Sequence, residues 1–216
     1  MKGTVWCFGD SFSTPFNKEP FTGSDEYVDY KGYIPKIYPQ IISEKLNMNL
    51  KYFADSGRDN YSIFESVCEV SDKIKEDDII IIGWSHIDRF RVVQTDGIWK
   101  SILPLSSKYF KYWDMIPNFN KEFFQMMLVN RIDKEKNYAD ELNNWIKLLN
   151  TCFKDNKIIH WTAFKQPLIN CIYFENIDLI VNETNGEIKD RHYSELGHQQ
   201  LSGIFLDIIN DTKKII

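Results

Sequence analysis

The chain has 216 residues, 43% of them hydrophobic and 15% aromatic, which is enough apolar surface to bury a full core as one domain without disulfide or metal staples. A formal charge of −5 and the lack of any Lys/Arg-rich block leave no basic excess to displace phosphate counterions, so nucleic acid is not an expected partner. No apolar run approaches the ~20 residues of a membrane span, and Cys7, Cys68, Cys152 and Cys171 are scattered with no zinc-like spacing. They read as reduced, mostly buried thiols, with no metal and no cofactor expected.

In chain order, the opening MKGTVWCFGD reaches a polar Gly-Asp too soon for a signal-peptide core, which predicts a cytoplasmic protein. Thr4 to Phe8 is a β-branched and aromatic run stopped by Gly9-Asp10, the pattern of a buried strand ending in a turn. A Pro, Gly and Asp-rich stretch follows, and periodicity begins at Pro39 to Leu46, with Pro39 suited to the first turn of a helix. Leu50 to Ala54 reads as a second strand, and Ile63, Phe64, Val67, Cys68 and Ile74 are spaced for one helical face.

Asp77 to Gly83 holds four consecutive isoleucines, as expected of a strand covered on both faces. A helical stripe runs through positions 142, 145, 146, 149 and 153, and Lys157 to Trp161 and Ile177 to Val181 read as two more strands. The last helix starts near Ser194. Strands alternating with helices predict a single α/β domain, a three-layer α/β/α sandwich on a mostly parallel sheet of about five strands in flavodoxin-like order. Positions 91–130, of mixed character and rich in aromatics from Trp99 to Phe124, read as an insertion that packs on itself or forms an apolar or sugar-stacking surface.

Two of the four histidines lie in Asp190-Arg191-His192-Tyr193-Ser194-Glu195-Leu196-Gly197-His198. The terminal helix buries Leu201, Ile204, Phe205, Ile208 and Ile209, and stepping back along that stripe reaches His198 and Gly197. His198 is therefore expected to be a packed histidine facing the sheet, with Gly197 allowing close approach. His192 precedes the N-cap Ser194 and sits on the entering loop. Asp190, two residues earlier in an extended segment, points to the same side and is placed to take the Nδ1 proton, leaving Nε2 as a base.

The candidate nucleophile is Ser11, directly after the first strand and so at the carboxyl edge of the sheet, where ligands bind in such folds. A serine there can offer both its Oγ and its backbone N–H to an ester. Taken alone, Gly9-Asp10-Ser11 is also what an ordinary turn looks like. Combined with Asp190-x-His192 before the last helix, it resembles the SGNH, or GDSL-type, serine hydrolase superfamily. Four blocks carry the likeness: Gly9-Asp10-Ser11; Ser56 to Asn60 around Gly57; Gly83-Trp84-Ser85; and Asp190-x-His192 with Gly197-His198.

The resemblance implies Ser11 as nucleophile, His192 as base and Asp190 as its orienter. It also implies an oxyanion hole from the N–H groups of Ser11 and Gly57 plus a third-block asparagine. That asparagine is missing here: Ser85 stands in its place, followed by His86. Ser85 is the expected third donor, and the Asp-to-His spacing is one residue shorter than the common pattern. The implied activity is hydrolysis of a small-molecule or carbohydrate O-acyl ester. Rivals are acyl transfer on the same triad, a non-catalytic protein that kept the fold, and a flavodoxin-like nucleotide binder.

Arg89 and Asn60 lie near enough to the expected crevice to touch substrate, Arg89 through an anionic group. For Arg89 the ordinary alternative is a paired surface charge. His160, on a predicted strand, is expected to be a buried structural histidine. His192 and His198, six residues apart, lack the i, i+4 spacing of a helical metal pair.

Overall fold

The computed structural model describes residues 2–17, 24–87, 89–93, 99–102 and 135–211. In chain order its elements are β1 (Thr4–Gly9), α1 (Asp25–Lys31), α2 (Tyr38–Leu46), β2 (Asn49–Ala54), α3 (Asn60–Glu69), β3 (Ile79–Trp84), β4 (Phe90–Val93) and β5 (Trp99–Ile102). They continue with α4 (Glu135–Cys152), β6 (Lys157–Thr162), β7 (Ile172–Tyr173), α5 (Ile180–Glu183) and α6 (Glu195–Asn210). The main sheet has the order β2-β1-β3-β6-β7, and every neighbouring pair is parallel. That is the expected α/β fold in flavodoxin-like order.

The isoleucine strand shows how the layers form. Successive strand residues point to opposite faces, so Ile79 and Ile81 join one apolar cluster and Ile80 and Ile82 the other. The first cluster packs under α2 and α6 through Tyr38, Ile42, Leu201, Phe205 and Ile209. The second packs under α3 and α4 through Ile63, Val67, Leu142, Ile146 and Leu149. Helices on both faces are what lets β3 be buried at every position. Ser194 caps α6 by accepting the N–H of Gly197, and Asp59 caps α3 by accepting that of Ser62.

Several expectations are corrected. Ile177 to Val181 is not a sheet strand. Leu179 makes an isolated antiparallel bridge to Tyr193 and α5 begins at Ile180, because Ile177 packs under α6 while Ile180 turns into a third cluster with Phe16, Tyr27, Val28, Ile37 and Ile188. The fifth strand is the two-residue edge β7, paired to Trp161 and Thr162. All four cysteines are free, but Cys68 and Cys152 are exposed, since they lie on helix faces turned away from the sheet. Of the segment at 91–130, Arg91 to Val93 belong to β4, which starts at Phe90 and pairs antiparallel with β5. Residues 94–98 and 103–134, including most of the aromatic run, lie outside the described residues. Among those described, no helix is long and apolar enough to cross a membrane.

In this strand order the chain leaves β1 toward β2 on one side and is flanked by β3 on the other, so a crevice opens at the carboxyl ends of β1 and β3. The segments following β1, β2 and β3 carry Ser11, Gly57 and Ser85 to that edge.

Candidate active site

Ser11 stands in a tight turn built by Asp10. The Asp10 carbonyl accepts the N–H of Ser13 at 2.9 Å and the Thr14 hydroxyl at 3.0 Å, and its carboxylate accepts the N–H of Phe12 at 3.1 Å. Gly9 is required for space: a Cβ there would lie 2.5 Å from Ser13 Oγ and 3.2 Å from the Gly83 carbonyl. Ser13 is itself fully buried and bonds the Tyr38 hydroxyl at 2.9 Å, so the turn is locked from beneath.

The loop before α6 brings His192 to this turn. His192 Nε2 lies 2.8 Å from Ser11 Oγ, and Nδ1 lies 2.6 Å from Asp190 Oδ1. The same carboxylate oxygen accepts the His192 backbone N–H at 2.8 Å, an Asx-type turn in which the two-residue spacing itself aims the carboxylate at the ring. The segment that failed as a strand holds this loop: Val181 and Ile180 donate their N–H groups to the carbonyls of Asp190 and His192 at 2.9 and 3.0 Å. Phe12 packs on the imidazole with ring centroids 4.7 Å apart.

Burial alone would raise the Asp190 carboxyl, but hydrogen bonds from His192, its charge and nearby N–H groups hold it below the ordinary carboxylate range. An ionised Asp190 accepting Nδ1–H leaves the Nε2 lone pair free for the serine proton. Ser11, Ser56, Asp190, His192 and His198 line one small crevice with Phe12, Phe16 and Ile180.

His198 is 3% exposed and its Nδ1 accepts the Tyr38 N–H at 3.4 Å. It is wedged between Phe16, Tyr38 and Tyr193 and is a packed histidine, as expected. Gly197 does allow close approach, to the loop rather than a strand: a Cβ there would meet the Asp178 carbonyl at 2.2 Å. Burial, with a smaller push from the charge of His192, lowers the His198 pKa to about 3. His160 is also structural, taking the Trp84 indole N–H at 3.1 Å and facing Asn150 at 3.2 Å. Burial pushes it down to about 3.

On the other side of the crevice, Gly57 has φ +82, the left-handed region glycine favours, and its N–H makes no hydrogen bond among the described residues. Asn60 is turned inward. Its amide accepts the Ser85 N–H at 2.7 Å and donates to the Ser85 carbonyl at 3.1 Å. Ser85 is fully buried, with its Oγ in polar contact with Asp10. Burial raises the Asp10 carboxyl above its ordinary range, opposed by Ser85, the charge of Arg89, the Phe12 N–H and the charge of His192.

Gln166, which sequence reasoning missed, ties the same loop. It accepts the Ile87 N–H at 2.6 Å and donates to the Ser85 carbonyl at 3.2 Å and Thr162 Oγ1 at 2.9 Å. No local signal marks Gln166, because its partners lie on other elements. Phe12 had one signal, its place directly after Ser11. His86 packs edge-on against Phe164 with centroids 5.2 Å apart.

No family model matches the chain. Among curated proteins it is similar to the CRISPR-associated endonuclease Cas9 of Streptococcus mutans serotype c (strain ATCC 700610 / UA159), with 24% identity over 212 residues. That match takes in 91% of this chain and only 14% of the endonuclease. Among solved structures it is similar to a carbohydrate esterase described as having divergent catalytic and non-catalytic binding functions, at 14% identity, 99% and 70% coverage and TM-score 0.48. It is also similar to the acetyl xylan esterase Est2A from the rumen bacterium Butyrivibrio proteoclasticus, at 10% identity, 97% and 63% coverage and TM-score 0.48. A third is a member of the lipolytic protein G-D-S-L family from Veillonella parvula DSM 2008, at 11% identity, 96% and 98% coverage and TM-score 0.38. At these levels the likenesses assign neither a family nor an activity, and the functional conclusion below is carried by the geometry of the site.

Proposed function

We propose that the protein is a serine-dependent ester hydrolase of the SGNH type acting on an O-acyl ester. The single observation that carries this is the unbroken relay from Ser11 Oγ through His192 to Asp190, with contacts of 2.8 and 2.6 Å. The Ser11–His192 contact joins residues 181 apart, so the two ends of the chain must meet at one sheet edge to make it.

In this mechanism Ser11 Oγ attacks the acyl carbon while His192 Nε2 takes the hydroxyl proton. The new imidazolium is stabilised by the carboxylate of Asp190, which stays ionised. The tetrahedral oxyanion is held by the N–H groups of Ser11 and Gly57. Collapse expels the alcohol, which receives the proton from His192. Water, deprotonated by the same imidazole, then attacks the acyl-serine, returning the serine hydroxyl and releasing a carboxylic acid. Asn60 and Gln166 act as positioning residues that fix the loop after β3.

The test is hydrolysis of p-nitrophenyl esters of two to eight acyl carbons by the wild type, Ser11→Ala and His192→Ala. Release of p-nitrophenol by the wild type, reduced by about 10³-fold or more in both variants, is the expected result. Wild-type rates no faster than those of Ser11→Ala would reject the assignment. Adding an alcohol acceptor and analysing the products separates hydrolysis from acyl transfer.

A further inference from the structure

We propose that Arg89 is the third oxyanion donor of this site, a guanidinium doing the work of a side-chain amide. The inference rests on the ester-hydrolase assignment above and concerns which group completes its hole.

Three observations lead to Arg89. The first is what the neighbouring polar groups are already doing. Asn60, the amide nearest the loop after β3, has both its oxygen and its nitrogen bound to the Ser85 backbone. Asn60 is therefore not free to follow a charge that develops in the crevice. Ser85 is fully buried, its hydroxyl near Asp10 but without a hydrogen-bond partner.

The second is position. Arg89 Nη1 lies 3.4 Å from where a Cβ on Gly57 would stand, which puts the guanidinium next to this glycine.

The third is that the charge is held in place but not spent. Arg89 forms no ion pair among the described residues, and its Nε is buried without a hydrogen-bond partner, as are Asp10 Oδ2 and Ser85 Oγ. Each buried polar atom left unpaired calls for an explanation. The backbone beneath is fixed: Arg89 N–H donates to the His86 carbonyl at 2.9 Å, and Gln166 and Asn60 clamp the residues before it. A cation held by a rigid loop costs little reorganisation when an oxyanion forms.

The experiment measures kcat and KM for the neutral ester p-nitrophenyl acetate, beside a p-nitrophenyl ester whose acyl group carries a carboxylate, with the wild type, Arg89→Lys, Arg89→Gln and Arg89→Ala. We expect kcat to fall about 10²-fold in the Gln and Ala variants with KM nearly unchanged, because the contact forms only as charge develops. Lys should retain part of the rate, and methylguanidinium in solution should restore part of that lost by Arg89→Ala, which a merely structural role would not allow. Arg89→Gln keeping kcat within about threefold of the wild type overturns the proposal. So does a loss confined to esters that carry a carboxylate, which would make Arg89 a substrate anchor. If Arg89→Ala does not fold, the Lys and Gln variants decide. Hydrolysis by the wild type that is lost in Ser11→Ala keeps the parent assignment whatever the Arg89 variants do. Absence of hydrolysis by the wild type overturns both.

Discussion

Acidification from pH 7 to pH 5 should cost this protein stability through two histidines that take no part in the proposed chemistry. His160 and His198 are lowered by burial from an ordinary value of 6.5 to about 3, so the unfolded chain binds protons in this window that the folded one refuses. Stability rises with pH wherever the unfolded state holds more protons. Each histidine therefore contributes a loss of about 2 kcal/mol between pH 7 and pH 5, and together about 4 kcal/mol, against a typical domain stability of roughly 5–15 kcal/mol. Asp190, Glu183 and Glu195 lie below their ordinary range, with burial opposed by partners that include His192 for Asp190 and Lys31 for the two glutamates. Their contribution is present above that range and lost only as pH falls through their depressed values, outside this window. Asp10, raised by burial, acts in the opposite sense. Urea denaturation at pH 7 and pH 5, on the wild type and on the double variant His160→Asn with His198→Asn, isolates the two histidines, since Asn keeps an acceptor for the Trp84 and Tyr38 N–H donors. The double variant should lose about 4 kcal/mol less than the wild type over this window. Equal losses in the two proteins would refute the account of how these residues are buried.

Three further outcomes follow from the site. Because Asp190 Oδ1 accepts both the ring and the backbone N–H of His192, Asp190→Asn can keep the ring orientation while losing the charge. Its kcat should fall about 10- to 10³-fold, the worth of an adjacent opposite charge to an imidazolium, and Asp190→Ala should fall at least about tenfold further; equal rates for the two would deny the orienting role. Asn60→Ala strips partners from the Ser85 N–H and carbonyl and should lower unfolding free energy by about 1–3 kcal/mol, and Asn60→Asp, which keeps the acceptor but sets a buried carboxylate oxygen against the Ser85 carbonyl, should lose at least as much. Gly57→Ala should reduce kcat and destabilise by about 1 kcal/mol or more, since φ is +82 there, and a variant as stable and active as the wild type would deny Gly57 its place.

Much of this architecture was legible in the sequence, for reasons that can be named. β1, β2, β3 and β6 were readable because each is a continuous apolar or β-branched run that spans the sheet, and α6 because its stripe and Ser194 cap are both local features. The relay from Ser11 to His192 was legible only as a combination of motifs, since the contact joins residues 181 apart. The fifth strand was misplaced because β7 has two residues, too few to carry an alternation. Ile177 to Val181, by contrast, has an apolar pattern that serves two different clusters. The third apolar cluster was invisible for a related reason: Phe16, Tyr27, Ile37 and Ile188 come from loops and a short helix with no shared period. Arg89 was noticed as a cation near the crevice, but its contact with Gly57 depends on the loop that Asn60 and Gln166 pin, and no spacing rule records that.

The central claim is that Ser11 is a nucleophile activated by His192, and covalent labelling tests it most directly. Treating the wild type and His192→Ala with a fluorophosphonate and mapping the adduct by peptide mass spectrometry should give one modified residue, Ser11, with labelling of the variant slowed by about 10³-fold or more. No adduct on the folded wild type, an adduct on a different residue, or a rate indifferent to loss of the imidazole would contradict it.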